Sequence, residues 1–358
     1  FNYPGGDWGY PTPFAMYPRG PGYLRMSYLF DTLTWKDENG VIPWLATDWE
    51  HSEDGLEWTF KLRDDVQWHD GQPLTADDVA FTYDYLKANR AAFTWNWPVE
   101  KVAETQVVDE HTVTFYMTEP VADVLVTLVG SVPILPQHIW HDVEDPAKFL
   151  DATAVIGSGP FKLSEYNKEQ GRYIYAANPD YFLGKPSVDT LVMNAVQDEA
   201  LALKTGTVNA ASFWGKEIAV VQEFQDDPDY IIKEGPSFWV LQLIFNTQKP
   251  PFDDVTLRQA VAHAVDREKI VQQVTQGGAV VANLGILSPN TDWFNPDLPT
   301  CPYDPESASN TLQKVSSSKV TLITTADFAR EAELVKADLE AVGLQVEVTT
   351  GDRTTIDG

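Results

Sequence analysis

Strict alternation of apolar and polar side chains marks residues 56–63 (Leu-Glu-Trp-Thr-Phe-Lys-Leu-Arg) as a half-buried strand with Trp58 and Phe60 turned to a core. Asp70-Gly71 then supplies a turn, which His69 is expected to orient by hydrogen bonding to Asp70. Thr75-Ala76-Asp77-Asp78 opens a helix. Thr75 stands at the cap, Asp78 at the position that returns the bond, and Val79, Tyr83 and Leu86 form the apolar stripe. Alternation comes back on either side of Asp109-Glu110, which predicts a hairpin with arms 106–108 and 112–117.

Gly157-Ser158-Gly159-Pro160 opens a new section. Residues 161–166 and 171–176 read as paired strands, 188–196 as another strand, and 199–204 as a short helix stopped at Gly206. The run 238–245 is continuously apolar and of strand length, and 248–254, with two prolines, reads as a linker. Helical spacing follows over 255–263, and Asp266 caps a further helix through Val274. The end is a β-α-β unit: strand 319–325, helix 328–342 stopped by Gly343, strand 344–349, with the two strands parallel. The first 21 residues, rich in Gly, Pro and aromatics, predict an ordered irregular loop, because each proline removes a donor and fixes φ. The pattern as a whole is mixed α/β with a boundary near residue 248.

Charge narrows the partners. The 358 residues hold 25 basic and 53 acidic side chains, a formal charge of −28, which argues against nucleic acid and against anionic lipid, both of which are gripped by clustered Lys and Arg. Cys301 is the one cysteine, so no internal disulfide framework or thiolate zinc site is expected. The chain starts at Phe1, which places a start codon and any signal peptide upstream. No apolar stretch is long enough to span a bilayer; the best, 124–135, is broken by Thr127, Gly130, Ser131 and Pro133.

Catalytic chemistry is scarce. Gly157-Ser158-Gly159 is neither a nucleophile elbow nor a dinucleotide or phosphate loop, since the glycine spacing is wrong and Pro160 would block the helix that must follow. The acid pairs Asp64-Asp65, Asp77-Asp78, Asp226-Asp227 and Asp253-Asp254 read as caps, turns and solvated faces. His138 and His141 are the histidines spaced to share a metal, and nothing beside them completes a ligand set. Neither an enzyme nor a cofactor is expected. What stands out is a surplus of loop aromatics: Trp95 and Trp97 flank Asn96 after the first long helix, Trp214 follows Phe213, and Trp239 follows Phe238. Such residues are the material of a concave, mostly apolar ligand site.

The run Leu45-Ala46-Thr47-Asp48-Trp49-Glu50, then residues 54–63 and Val66-Gln67-Trp68-His69-Asp70-Gly71, with Leu74-Thr75-Ala76-Asp77-Asp78-Val79, resembles the signature block of the family-5 extracellular solute-binding proteins. These are the oligopeptide-, dipeptide- and nickel-binding receptors of ABC importers. Collinear matches follow at 157–161, 178–182, 184–186, 203–206, 245–247, 251–254, 258–260, 264–267 and 303–308. The resemblance implies a periplasmic-binding-protein-like two-lobe α/β fold of type II that closes over its ligand. Residues 1–45 plus 155–247 would form the first lobe, 46–154 an inserted extra domain, and 248–358 a second lobe that is only partly present.

It further implies an extracytoplasmic, monomeric receptor that hands a small ligand, a peptide first of all, to ABC permease subunits. Oligosaccharides and nickel chelates are the alternative cargoes of this fold, and a glycan-acting enzyme or a surface sensor the alternatives of another class. Tyr10, Phe14, Tyr17, Trp95, Trp97, Phe213, Trp214, Phe238 and Trp239 lie in segments resembling those that face the family's cleft, and are the candidate binding residues.

The acidity carries its own expectation. Self-repulsion among carboxylates is relieved by salt, so a chain adapted to a saline habitat gains melting temperature between low and molar salt. A melting temperature that does not move across that range would discard the adaptation and leave solubility as the use of the charge.

Overall fold

The computed structural model describes residues 1–18, 20–93, 95–235, 239–283, 285, 287–289, 291, 293–298, 301–315 and 319–351, with only the main chain of residue 216. The chain forms two compact units, Phe1–Ala211 and Ser212–Gly358.

In the first unit, β1 (Asn2–Gly5) precedes α1 (Gly20–Ser27), and β2 (Thr34–Asp37) pairs antiparallel with β3 (Gly40–Pro43). The elements β4 (Ala46–His51), β5 (Glu57–Leu62), α2 (Ala76–Ala88), β6 (Val102–Asp109) and β7 (Thr112–Met117) follow. The strands among them make an antiparallel sheet of order β4-β5-β7-β6. The short α3 (Gln137–Trp140) leads to β8 (Phe161–Asn167), β9 (Arg172–Ala177) and β10 (Thr190–Ala195), and α4 (Glu199–Lys204) comes last. Here β1 runs parallel to β10 at the edge of a sheet of order β1-β10-β9-β8.

The strand over 57–62, the hairpin turned at Asp109-Glu110 and the capped helix stand where the residue pattern places them. Asp78 closes the cap by accepting from the Thr75 N–H at 3.0 Å, and a second bond from the Gln137 N–H at 2.9 Å ties α2 to the start of α3. The opening segment is less irregular than expected. Its first residues add a strand to a neighbour almost two hundred positions away, and the Gly-Pro-Gly at 20–22 begins α1, where a proline in the first turn loses no bond.

Two networks from distant parts of this unit meet at the loop Gly157-Ser158-Gly159. From one side Asp31, 4% exposed, accepts from Ser158 Oγ at 2.7 Å, from Trp44 Nε1 at 2.8 Å and from the Tyr181 hydroxyl at 3.0 Å. Burial pushes the Asp31 carboxyl up, and the three donors pull it back toward the ionised form. From the other side the His69 ring takes both ends of the loop: Nδ1 accepts from the Gly157 N–H at 3.2 Å while Nε2 faces the Gly159 carbonyl at 3.0 Å. Those two partners require the neutral ring with its proton on Nε2. The loop can approach so closely because it lacks side chains; a Cβ on Gly157 would overlap the Leu29 carbonyl.

His69 therefore does not serve Asp70. Asp70 instead accepts from His138 Nε2 at 2.8 Å, and the His141 ring lies against the Gln137 carbonyl and Asp142, so this histidine pair is spent on protein contacts.

The second unit carries α5 (Ile218–Val221), α6 (Val255–Ala264), α7 (Arg267–Thr275), α8 (Pro305–Leu312), β11 (Lys319–Thr324), α9 (Ala329–Ala341) and β12 (Gln345–Thr350). β11 and β12 are parallel, as the β-α-β pattern requires, and Leu257, Val261, Leu339 and Val346 share their core. Asp254, Asp266 and Asp304 cap α6, α7 and α8 by accepting main-chain N–H bonds. Asp338, 5% exposed, binds Lys269 and accepts from the Asp266 N–H at 3.0 Å, which pins α9 to the start of α7.

One expected strand is absent among the described residues. Residues 239–246 run outside any ladder, with Leu241 and Ile244 exposed. A run of apolar side chains favours an extended chain, but a strand also needs a neighbour to answer its N–H and C=O groups.

Burial holds the His69 pKa down at about 4, the Gly159 carbonyl opposing and Lys162 reinforcing the shift. Unfolded, the same ring titrates near its ordinary 6.5. Its contribution to stability is complete above pH 6.5 and is lost as the pH falls toward 4, because the unfolded chain takes up a proton that the fold refuses. Urea unfolding from pH 7 to 4 should show a loss attributable to this ring, and His69→Gln should flatten the profile while lowering stability at pH 7. A variant profile as steep as the parent's would contradict it.

Candidate functional site

Two aromatic surfaces, one in each unit, hold four of the nine candidate binding residues: Tyr10 and Tyr17 in the first, Trp214 and Trp239 in the second. In the first unit Gly9, at φ +86°, turns the chain so that Tyr17 N–H donates to the Trp8 carbonyl at 2.8 Å. A Cβ at Gly9 would overlap the Ala15 carbonyl, so only glycine fits. The turn brings Trp8 against Tyr17 with ring centroids 5.4 Å apart and planes tilted by 45°, and Tyr10 lies edge-on to Tyr166 at 5.5 Å with its hydroxyl donating to the Asp151 carbonyl. Tyr10 and Tyr17 remain half-buried.

Beneath them Arg25, 4% exposed, sets its guanidinium over Trp8 at 5.9 Å and over Tyr173 at 5.1 Å, and donates to the Pro21 carbonyl at 2.7 Å. Burial lowers the Arg25 pKa, and the surrounding tyrosines and Asp7 oppose that. The Tyr173 hydroxyl, pushed up to about 12 chiefly by burial, donates to the Gly9 carbonyl at 2.7 Å and accepts from the Trp8 N–H at 2.9 Å. Arg25, Tyr166 and Tyr173 were not singled out from the sequence. The alternating tyrosines of β9 were the available signal.

Phe14 and Trp97 stand elsewhere. Phe14 is 8% exposed and packs on Tyr85, Phe93 and Trp140; Trp97 is 4% exposed and packs on Phe93. Both are core residues rather than cleft walls, because the opening loop buries Pro11 to Phe14 and the loop after α2 folds back under Trp95. Trp95 covers Trp97 in a stack at 5.4 Å, meets Tyr23 at 5.5 Å and stays half-buried.

In the second unit the backbone of Trp214 is extended, at φ −149° and ψ 160°. Successive side chains of an extended chain point to opposite sides. Phe213 accordingly turns in to stack on buried Phe224 at 6.2 Å, while Trp214 turns out, 58% exposed. Trp239, 69% exposed, lies alongside Trp214 with centroids 6.3 Å apart and planes 27° from parallel. Phe238 lies outside the described residues. Among the described residues no three His, Cys, Asp or Glu side chains gather as a metal site, and no helix is long and apolar enough to cross a membrane.

These placements separate by energy. Trp97→Ala and Phe14→Ala should each cost about 3–5 kcal/mol of stability, the usual loss for a buried large aromatic. Trp214→Ala and Trp239→Ala should stay within about 1 kcal/mol of the parent in denaturant unfolding. Equal costs at all four positions would show the division to be wrong.

Comparison with known proteins gives this arrangement its context. The sequence profile of the bacterial extracellular solute-binding proteins, family 5, matches residues 40–357. The dipeptide-binding protein of Escherichia coli is 32% identical over 342 residues, which is 87% of this chain and 63% of that protein, so the chain spans somewhat under two thirds of that relative's length. A Helicobacter pylori ABC-transporter-associated periplasmic binding protein, solved with the peptide STSA, superposes with a TM-score of 0.83 at 24% identity, covering 99% of this chain and 74% of that one. A Campylobacter jejuni protein solved with a nickel–histidine complex gives 0.81 at 23% identity, covering 98% and 73%. Both likenesses establish the two-lobe α/β fold, and the family is one of binding proteins. The chain belongs to family 5 of the bacterial extracellular solute-binding proteins.

Proposed function

We propose that this protein is the substrate-capture receptor of an ABC importer, works outside the cytoplasm as a monomer, and takes a short peptide as its cargo. The observation that carries the reading is the exposed pair Trp214–Trp239 in a chain whose family binds solutes. Two indoles left in water forgo the free energy their burial would release, and a ligand that covers them recovers it. The peptide is favoured by the dipeptide-binding relative and by the peptide-bound fold neighbour. Capture and delivery need a difference in affinity between states and no bond-making, so the bound cargo should be recovered unchanged. Permease subunits are the membrane partner of such a receptor. The segments 1–45 plus 155–247, 46–154 and 248–358 remain the proposed domain layout.

A thermal-shift panel tests this on the full chain, with di- to pentapeptides, oligosaccharides, and nickel with histidine. A peptide at a hundredfold excess over its dissociation constant should stabilise the native state by about 2.7 kcal/mol. A shift with nickel–histidine or a sugar and none with any peptide would overturn the cargo assignment.

A further inference from the structure

We infer that Trp214 and Trp239 form a clamp for a flat cationic group, so that the receptor prefers peptides carrying arginine; this rests on the peptide reading above. The first support is spacing. The two ring centroids lie 6.3 Å apart and the planes are 27° from parallel. A planar group held between two rings needs about 7 Å, two van der Waals contacts of about 3.5 Å each. The centroid distance bounds the gap between the ring planes from above, so the two rings are in contact range of each other and must part to admit a guest between them.

The second support is that one of the two jaws, Trp214, is anchored. Phe213 is stacked on Phe224, which meets Tyr230 at 4.8 Å, so the residue before Trp214 is fixed from below. Directly after it the chain turns: the Glu217 N–H donates to the Trp214 carbonyl at 3.1 Å and α5 begins at Ile218. Ile218 in turn packs so tightly on Gly278 that a Cβ there would meet its Cγ2 at 2.6 Å.

Charge supplies the third support and chooses among flat groups. The segment joining the two tryptophans, 215–238, holds six acidic residues against two basic ones. Glu217, Glu223, Asp226, Asp227, Asp229 and Glu234 are all exposed, and Glu217 sits in the turn that leaves Trp214. An indole face attracts a cation through its quadrupole, and nearby carboxylates add to that attraction. A guanidinium is flat, permanently charged and weakly hydrated, so it gains from both jaws at once. A compact, strongly hydrated ammonium gains less.

The test compares Ala-Arg-Ala, Ala-citrulline-Ala and Ala-Phe-Ala by calorimetry on the full chain at low salt. Citrulline keeps the flat shape and removes the charge. The arginine peptide should bind about tenfold more tightly than either of the others, the range of two partly desolvated cation–π contacts. Trp214→Ala and Trp239→Ala should each reduce that ratio to about twofold, with Trp→Phe at either position keeping most of it. Equal affinities for the arginine and citrulline peptides, or a preference that survives both alanine substitutions, would overturn the clamp and leave the peptide receptor standing. Failure of all three peptides to bind would overturn the peptide reading and the clamp together.

Discussion

A carboxylate taken out of water must have its lone pairs answered, and in the first unit Asp31 is answered by three donors drawn from distant parts of the chain: Trp44, Ser158 and Tyr181. Ser158 can be one of them only because the glycines on either side let the loop press against the Leu29 carbonyl. His69 then grips the same loop from the side of the β4–β7 sheet through both ring nitrogens. The loop is thus held between a buried acid and a neutral imidazole, and the imidazole's grip depends on its protonation state.

Aromatic residues do two different jobs in this chain, and the difference is one of exposure. Phe14, Phe93, Trp97 and Trp140 fill volume. Trp214 and Trp239 fill none, and Trp8 with Tyr17 lies at the border, braced from below by the Arg25 guanidinium. A binding protein needs both kinds, since an exposed ring is selective only when the rings behind it keep it from turning. Phe213 and Trp214 show the device at its smallest: neighbours in an extended chain, one anchoring and one presenting.

Acidic residues also divide. Asp254, Asp266 and Asp304 are spent on helix caps, Asp338 on a buried ion pair, and Asp7 on the tyrosines beneath the opening turn. Those on the segment between Trp214 and Trp239 are exposed, so their charge stays in water instead of being spent on a cap or a buried pair.

Local chemistry alone determined the strand over 57–62, the hairpin at Asp109-Glu110, the capped helix after Thr75 and the closing β-α-β unit, because each is specified by neighbours a few residues apart. The collinear motifs likewise sufficed to identify the family. Tertiary structure decided the rest. Residues 2–5 became a strand because β10 offered an edge, and 239–246 did not, although they are more apolar, because no ladder forms there among the described residues. His69 passed over adjacent Asp70 for a loop almost ninety residues away. Among tryptophans equally prominent in the sequence, Trp97 went inward and Trp214 outward. Burial, ladder partners and the choice of hydrogen-bond acceptor are properties of chain segments brought together from far apart, and no window of sequence contains both halves of such a contact.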